Sequence, residues 1–256
     1  MKGKPLVVAH DGCEETPLNS LDSVVAGYGA DADLVEVDIR VTKDGVIVLH
    51  HDAEVLADGK AVRIASMDYA TLASLDREDR LETDGGGRLT SLAEVIELAR
   101  QRGGRLNLDA KEDAVIAPAI ELVRAAGMES TVIFSGCEEE RARLVRKSCP
   151  DVPVLLNPGD ADYELARRDY SNFVTALCAS AVRAGCCGLN VHVAALSEEL
   201  IERAGPRFLP VSVWTVDQPA EQRRAVDLGV HSITTRRVRS LVQILRDEPS
   251  GSHSSS

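Results

Sequence analysis

The chain has 256 residues, 44% of them hydrophobic and 27% charged, with a formal net charge of -12 at neutral pH. That length suits one large domain or two small ones, and the ordinary balance of apolar and charged residues excludes disordered and fibrous classes outside the tail. The acidic excess argues against nucleic acid or an anionic membrane as partner, because phosphates would be repelled over most of the surface; an anionic substrate would need a local cation.

Eight β-rich runs are predicted in chain order: PLVVAH (5–10), LVEVDIRV (34–41), RLNLDA (105–110), STVIFS (130–135), VPVLLN (152–157), GLNVHV (188–193), LPVSVWTV (209–216) and HSITT (231–235). Between them lie amphipathic stretches such as SLAEVIELARQRG, VIAPAIELVRAAG, EEERARLVRKS, SEELIERAG and AEQRRAVDLG, several ending in a helix-capping Gly. Strand followed by helix, eight times, predicts an α/β fold: a (β/α)8 TIM barrel forming a single domain over 1–247. A segment after strand two, about 53–88, is long for a βα loop and ends in a Gly triplet, so it reads as an insertion over the barrel mouth. Residues 248–256 are polar and are expected to be a disordered tail. No apolar run reaches the length of a membrane span, and the first residues turn polar too soon for a signal peptide. Six cysteines show neither a CxxC pair nor zinc-like His spacing and read mostly as buried thiols in a reducing compartment, so the expected location is cytoplasmic.

In a parallel barrel the outward faces of the strands pack on helices, while inward residues near the C-terminal ends form the site. Strand two alternates Val35, Val37, Ile39 and Val41 with Glu36, Asp38 and Arg40, so period two sends the three charges inward. Strand three sends Asn107, Asp109 and Lys111 inward, strand six Asn190 and His192, and strand seven Ser212 and Trp214. Glu36, Asp38 and Asp109 are hard oxygen ligands suited to Mg²⁺ or Ca²⁺; the competing reading is a salt-bridge network with Arg40 and Lys111. His10 ends strand one and His51 follows strand two, with His50 beside it, which suggests an acid–base pair. Lys111 would offer a point charge to an anion. Trp214 reads equally as pocket wall or barrel filler, and Asn190 and His192 as new contacts or polar packing.

These residues carry a resemblance to the glycerophosphodiester phosphodiesterase family, spanning almost the whole barrel. The family's H-R-G, P-E-N-T, E-x-D, T-K-D-G and H-D read here as His10-Asp11-Gly12, Pro17-Leu18-Asn19-Ser20, Glu36-Val37-Asp38, Thr42-Lys43-Asp44-Gly45 and His51-Asp52. Its T-L-x-E, E-x-K and W-T-V read as Ser91-Leu92-Ala93-Glu94, Asp109-Ala110-Lys111 and Trp214-Thr215-Val216. The resemblance implies a divalent cation on Glu36, Asp38 and Asp109, with His10 and His51 as acid and base of phosphodiester cleavage. It also implies attack by a glycerol hydroxyl, giving a cyclic phosphate that water then opens.

The chain departs from the pattern at several positions. The family's Arg is Asp11, its Glu in P-E-N-T is Leu18, and its Glu in E-x-K is Asp109. An acid in place of Arg moves local charge the wrong way for an anion, so with Asp11 an ordinary glycerophosphodiester is expected to bind less well. The terminal G-x-D-x-I-x-T-D reads Gly229, His231, Ile233, Thr234 and Thr235, with two acids lost. The expected function is cleavage of a small, atypical phosphodiester; the alternatives are a catalytically silent barrel that binds a metal and small ligand, or a different reaction on the same scaffold. Nothing in the sequence indicates stable membrane insertion or sets the oligomeric state.

Overall fold

A computed structural model describes residues 3–83, 86 and 88–247, so the predicted tail and three residues near the end of the insertion lie outside the described residues. The first barrel units are β1 (Leu6–Ala9), α1 (Leu21–Gly29) and β2 (Leu34–Val41). A side unit follows: β3 (Ile47–Leu49), β4 (Glu54–Ala57), β5 (Lys60–Arg63), α2 (Tyr69–Arg77) and β6 (Leu81–Glu82). Then come α3 (Leu92–Arg102), β7 (Leu106–Ala110), α4 (Ile116–Ala125), β8 (Val132–Cys137), α5 (Glu139–Ser148) and β9 (Val154–Leu156). The chain ends through α6 (Asp160–Arg168), α7 (Tyr170–Ala184), β10 (Gly188–His192), α8 (Glu198–Ala204), β11 (Val211–Trp214), α9 (Pro219–Leu228), β12 (Ser232–Thr235) and α10 (Val238–Asp247).

Eight of these strands pair in parallel in the order β1, β2, β7, β8, β9, β10, β11, β12, and β12 pairs back onto β1. The protein is a closed (β/α)8 TIM barrel. Each barrel strand coincides with a predicted run, except that β8 continues two residues further, to Cys137. Val35, Val37 and Ile39 of β2, with Leu106, Leu108 and Ala110 of β7, belong to the apolar layer between strands and helices. The alternate residues turn inward, and the register sets Glu36 beside Asn107 and Asp38 beside Asp109. Asp109 in turn faces Ser135 on β8. Lower in the barrel the interior is also polar, with Ser232 donating to Ser212 at 2.7 Å.

The segment between β2 and α3 is folded. Thr42, Lys43, Asp44 and Gly45 form a tight turn that reverses the chain into β3, antiparallel to β2. Thr42 Oγ1 donates to Asp44 Oδ1 at 2.6 Å, the Val46 amide donates back to Thr42 Oγ1 at 3.0 Å, and Gly45 takes the left-handed φ of 85°. The next residues build a small antiparallel sheet in the order β5, β4, β6. Its apolar side joins Val55, Ala57, Ile64, Leu72 and Leu81 to Val48 and Leu89 in a second core beside the barrel. No helix among the described residues is long and apolar enough to cross a membrane.

Candidate active site

At the C-terminal ends of the barrel strands lies a cavity of about 440 Å³ lined by His10, Asp11, Glu36, Asp38, His51, Asp109, Lys111, Asn190 and Trp214, among others. The strand ends converge here because parallel strands that start in one layer also finish in one layer. Nine of the ten residues singled out from the sequence therefore meet. His192 does not: it sits on the outer side of Trp214, edge-on to the indole with ring centroids 5.2 Å apart, and its Nδ1 accepts from the Ala194 amide at 3.2 Å. Arg40 also departs from the inward reading. It lies where β2 leaves the barrel to pair with β3, and its guanidinium donates to the His51 carbonyl at 3.0 and 2.7 Å.

The carboxylates of Glu36, Asp38 and Asp109 can each bring an oxygen within 4.8 Å of the others. Lys111 Nζ lies 2.7 Å from Asp38 and 2.5 Å from Asp109, so the predicted salt-bridge contact exists without Arg40. Asn19 Nδ2 donates to Asp38 at 3.1 Å while its Oδ1 accepts from the Asp38 amide at 3.2 Å, pinning that carboxylate from the loop after β1. Ser135 Oγ donates to Asp109 at 3.1 Å. Asn19 was legible as a motif residue, whereas Ser135 carried no signal because a serine on a strand is common.

Burial pushes the Glu36 carboxyl well above its ordinary range; the His10 charge opposes this, and Asp38, Asp11 and Asp109 reinforce it. Burial would lower His10, yet Glu36 and Asp11 outweigh it and raise the imidazole to about 9. Its Nδ1 contacts the Asp11 carboxylate and lies 3.7 Å from Glu36. For Asp11, burial acts upward, but the hydrogen bond and charge of His10 with the charge of Arg236 hold the pKa below the usual carboxylate value. For Lys111, burial acts downward and is overcome by Asp109, Asp38 and Glu36, so the pKa rises.

The two adjacent histidines are separated by the fold. His50 is buried, its Nδ1 is 2.8 Å from the Asp52 carbonyl, and its amide donates to the Asp38 carbonyl at 3.2 Å. His51 stands at the cavity rim with its side chain 62% exposed and Nδ1 2.9 Å from Asp52 Oδ1. The β2–β3 turn is what carries the H-D pair back to the level of Asp38. Two polar atoms of the cavity wall, Asn107 Oδ1 and Trp214 Nε1, are buried with no partner among the described residues.

Five carboxylates, Asp11, Glu36, Asp38, Asp52 and Asp109, line the cavity against two permanent cations, Lys111 and Arg236. Hard oxygen donors in this excess, with Glu36 pushed toward protonation first by burial and then by the acids around it, are a donor set that fits a divalent cation such as Mg²⁺ or Ca²⁺. Arg236 had no place in the sequence reading. The spacing of G-x-D-x-I-x-T-D from Gly229 carries its threonine to Thr235, not Thr234, and its last acid to Arg236.

A TIM barrel with an acidic cavity at this end belongs to the class that binds and transforms ligands among the βα loops. The pattern of the glycerophosphoryl diester phosphodiesterase family matches residues 10–240. A glycerophosphodiester phosphodiesterase of Caldanaerobacter subterraneus subsp. tengcongensis is 26% identical over 252 residues, covering 95% of this chain and 98% of the relative. The solved glycerophosphodiester phosphodiesterase of Thermotoga maritima superposes with a TM-score of 0.74 at 21% identity, covering 95% of this chain and 100% of that one. An Oleispira antarctica phosphodiesterase, solved with the product sn-glycerol-3-phosphate, gives 0.74 at 19% identity and covers 95% and 97%. The chain belongs to the glycerophosphoryl diester phosphodiesterase family.

Proposed function

We propose that the protein cleaves a small glycerophosphodiester with the help of Mg²⁺ or Ca²⁺, using His10 and His51 as its acid–base pair. The observation that carries this reading is the meeting of both histidines, three carboxylates and Lys111 around one cavity. Glu36, Asp38 and Asp109 would hold the cation, which when bound supplies a Lewis acid for the charge on the non-bridging phosphate oxygens. One imidazole takes the proton of the attacking glycerol hydroxyl and the other protonates the leaving oxygen; water then opens the cyclic phosphate by the reverse exchange. In each histidine Nδ1 faces a carboxylate, Asp11 or Asp52, and the substrate proton is assigned to Nε2. Lys111 sits between Asp38 and Asp109 and holds the non-bridging oxygens as a fixed point charge.

The unpartnered Trp214 Nε1 and Asn107 Oδ1 support a polar ligand, and Asn190 adds an amide to the same wall. His192, outside the central cavity, would reach only a substrate arm that passes Trp214. We read 1–247 as one domain with 53–88 inserted beside β3; the described residues of that insertion do not line the central cavity. A cytoplasmic location fits the six free thiols.

The test is turnover of a panel of glycerophosphodiesters, lysophospholipids and cyclic phosphates with Mg²⁺, Ca²⁺ or EDTA, beside His10→Ala and His51→Ala. Cleavage that needs the metal and falls by about 10²-fold or more in both variants supports the reading. Turnover indifferent to EDTA and to both substitutions would overturn it. Asp11 and Leu18 favour a second reading, a barrel that binds metal and ligand without turnover, which silence across the panel in a metal-binding protein would establish.

A further inference from the structure

Asp11 and Arg236 are 225 positions apart and touch at the closure of the barrel. β1 and β12 pair in parallel with Ala9 beside Thr235, so the next residues of both strands emerge together at the cavity. Arg236 Nε donates to the Asp11 carbonyl at 3.1 Å and Nη2 to Asp11 Oδ1 at 3.3 Å. The family pattern has Arg at position 11 and an acid at position 236; this chain has the reverse. We propose that the two residues are one ion pair with its charges exchanged, and that Arg236 supplies from β12 the guanidinium that grips the phosphodiester oxygens. This rests on the phosphodiesterase reading and adds to it a second anion-binding residue beside Lys111.

Three observations carry the assignment. A guanidinium has five N–H donors, and the two hydrogen bonds to Asp11 leave three without a partner among the described residues. Lys111, the other permanent cation on the cavity wall, already lies against two carboxylates. The pair is also lopsided in exposure: the Asp11 side chain is 4% exposed and that of Arg236 39%, so Asp11 holds the guanidinium from behind while its free edge faces the cavity. A planar fork held this way matches two oxygens of a phosphate. Because Asp11 cancels its charge, the pair grips through directed hydrogen bonds more than through net potential. The departure at position 11 is then an exchange of sides and not the loss of anion recognition.

The experiment compares Arg236→Gln, Asp11→Asn and the double variant Asp11→Asn/Arg236→Gln in the full chain, reading kcat and KM on the best diester and inorganic phosphate binding by calorimetry. Thermal midpoints establish that each variant is folded, and Arg236→Lys keeps charge without the fork. The assignment predicts that Arg236→Gln raises KM and weakens phosphate by about ten- to a hundredfold with kcat changed far less. Arg236→Lys recovers part of this, and the double variant stays weak. If Arg236 only neutralises Asp11, removing both charges restores wild-type KM and phosphate affinity, which overturns the assignment. A wild-type protein that turns over diesters while Arg236→Gln keeps its KM sinks this inference alone. One that neither cleaves diesters nor binds phosphate sinks the phosphodiesterase reading with it.

Discussion

Asp109 shows how closely single residues are fitted around the proposed cation site. Its carboxylate lies against Lys111 and Ser135, and its back is covered by Gly136. Gly136 has a φ of 66°, and a Cβ there would run into Asp109 Oδ1 and the backbone of Ala110. Gly136→Ala therefore combines left-handed strain of about 1–2 kcal/mol with displacement of a carboxylate. The expected outcome is a lower urea midpoint and weaker Mg²⁺ or Ca²⁺ binding by calorimetry; unchanged metal affinity would mean that Asp109 is not a ligand. Nothing in the sequence marked Gly136, since a glycine near a strand end says only that some close approach or turn is present. Asp109 itself was legible, because alternation along a half-apolar strand fixes which face it occupies.

Two motifs that identify the family turn out to act on elements. Ser91 and Glu94 form a reciprocal cap on α3: Ser91 Oγ accepts from the Glu94 amide at 3.3 Å, and Glu94 accepts from the Ser91 amide at 2.8 Å. This satisfies amides at the helix start that would otherwise lack partners. Ser91→Ala is expected to cost about 1 kcal/mol of stability, read as a shift in chemical denaturation, while kcat stays at the wild-type value. A loss of kcat in the folded variant would give Ser91 a role beyond the cap. The T-K-D-G turn acts similarly one element earlier. Asp44 accepts from Thr42 and from the Tyr69 amide at the start of α2, tying the reversal into β3 to the side unit that follows. The sequence showed the spacing of these motifs but not the elements they serve, and β3 to β6 went unpredicted because they fall where the strand–helix alternation breaks. Barrel strands as short as β9 stand out as apolar runs, whereas β4, β5 and β6 are partly exposed and mixed in composition.

At the scale of the molecule, a chain of net charge -12 concentrates five carboxylates in the cavity it would use for an anionic substrate. A bound divalent cation resolves that conflict, so it should stabilise the native state by mass action. At a hundred times its Kd the gain is about 2.7 kcal/mol, a rise in Tm on the order of 5 to 10 °C for a domain of this size. Calorimetric melts with Mg²⁺ or Ca²⁺ against EDTA measure it, and Glu36→Gln should remove the gain. Equal shifts in wild type and Glu36→Gln would place the ion elsewhere. The sequence by itself determined the barrel and the inward carboxylates, because apolar periodicity is local and a strand that buries one face must turn its charges to the other. Only the tertiary structure decided the partners. It set Lys111 between two acids, put His192 behind Trp214, sent Arg40 to the His51 carbonyl, and brought Arg236 onto Asp11 where the last strand closes on the first. Those choices depend on distances across the closed barrel, which a local pattern along the chain does not contain.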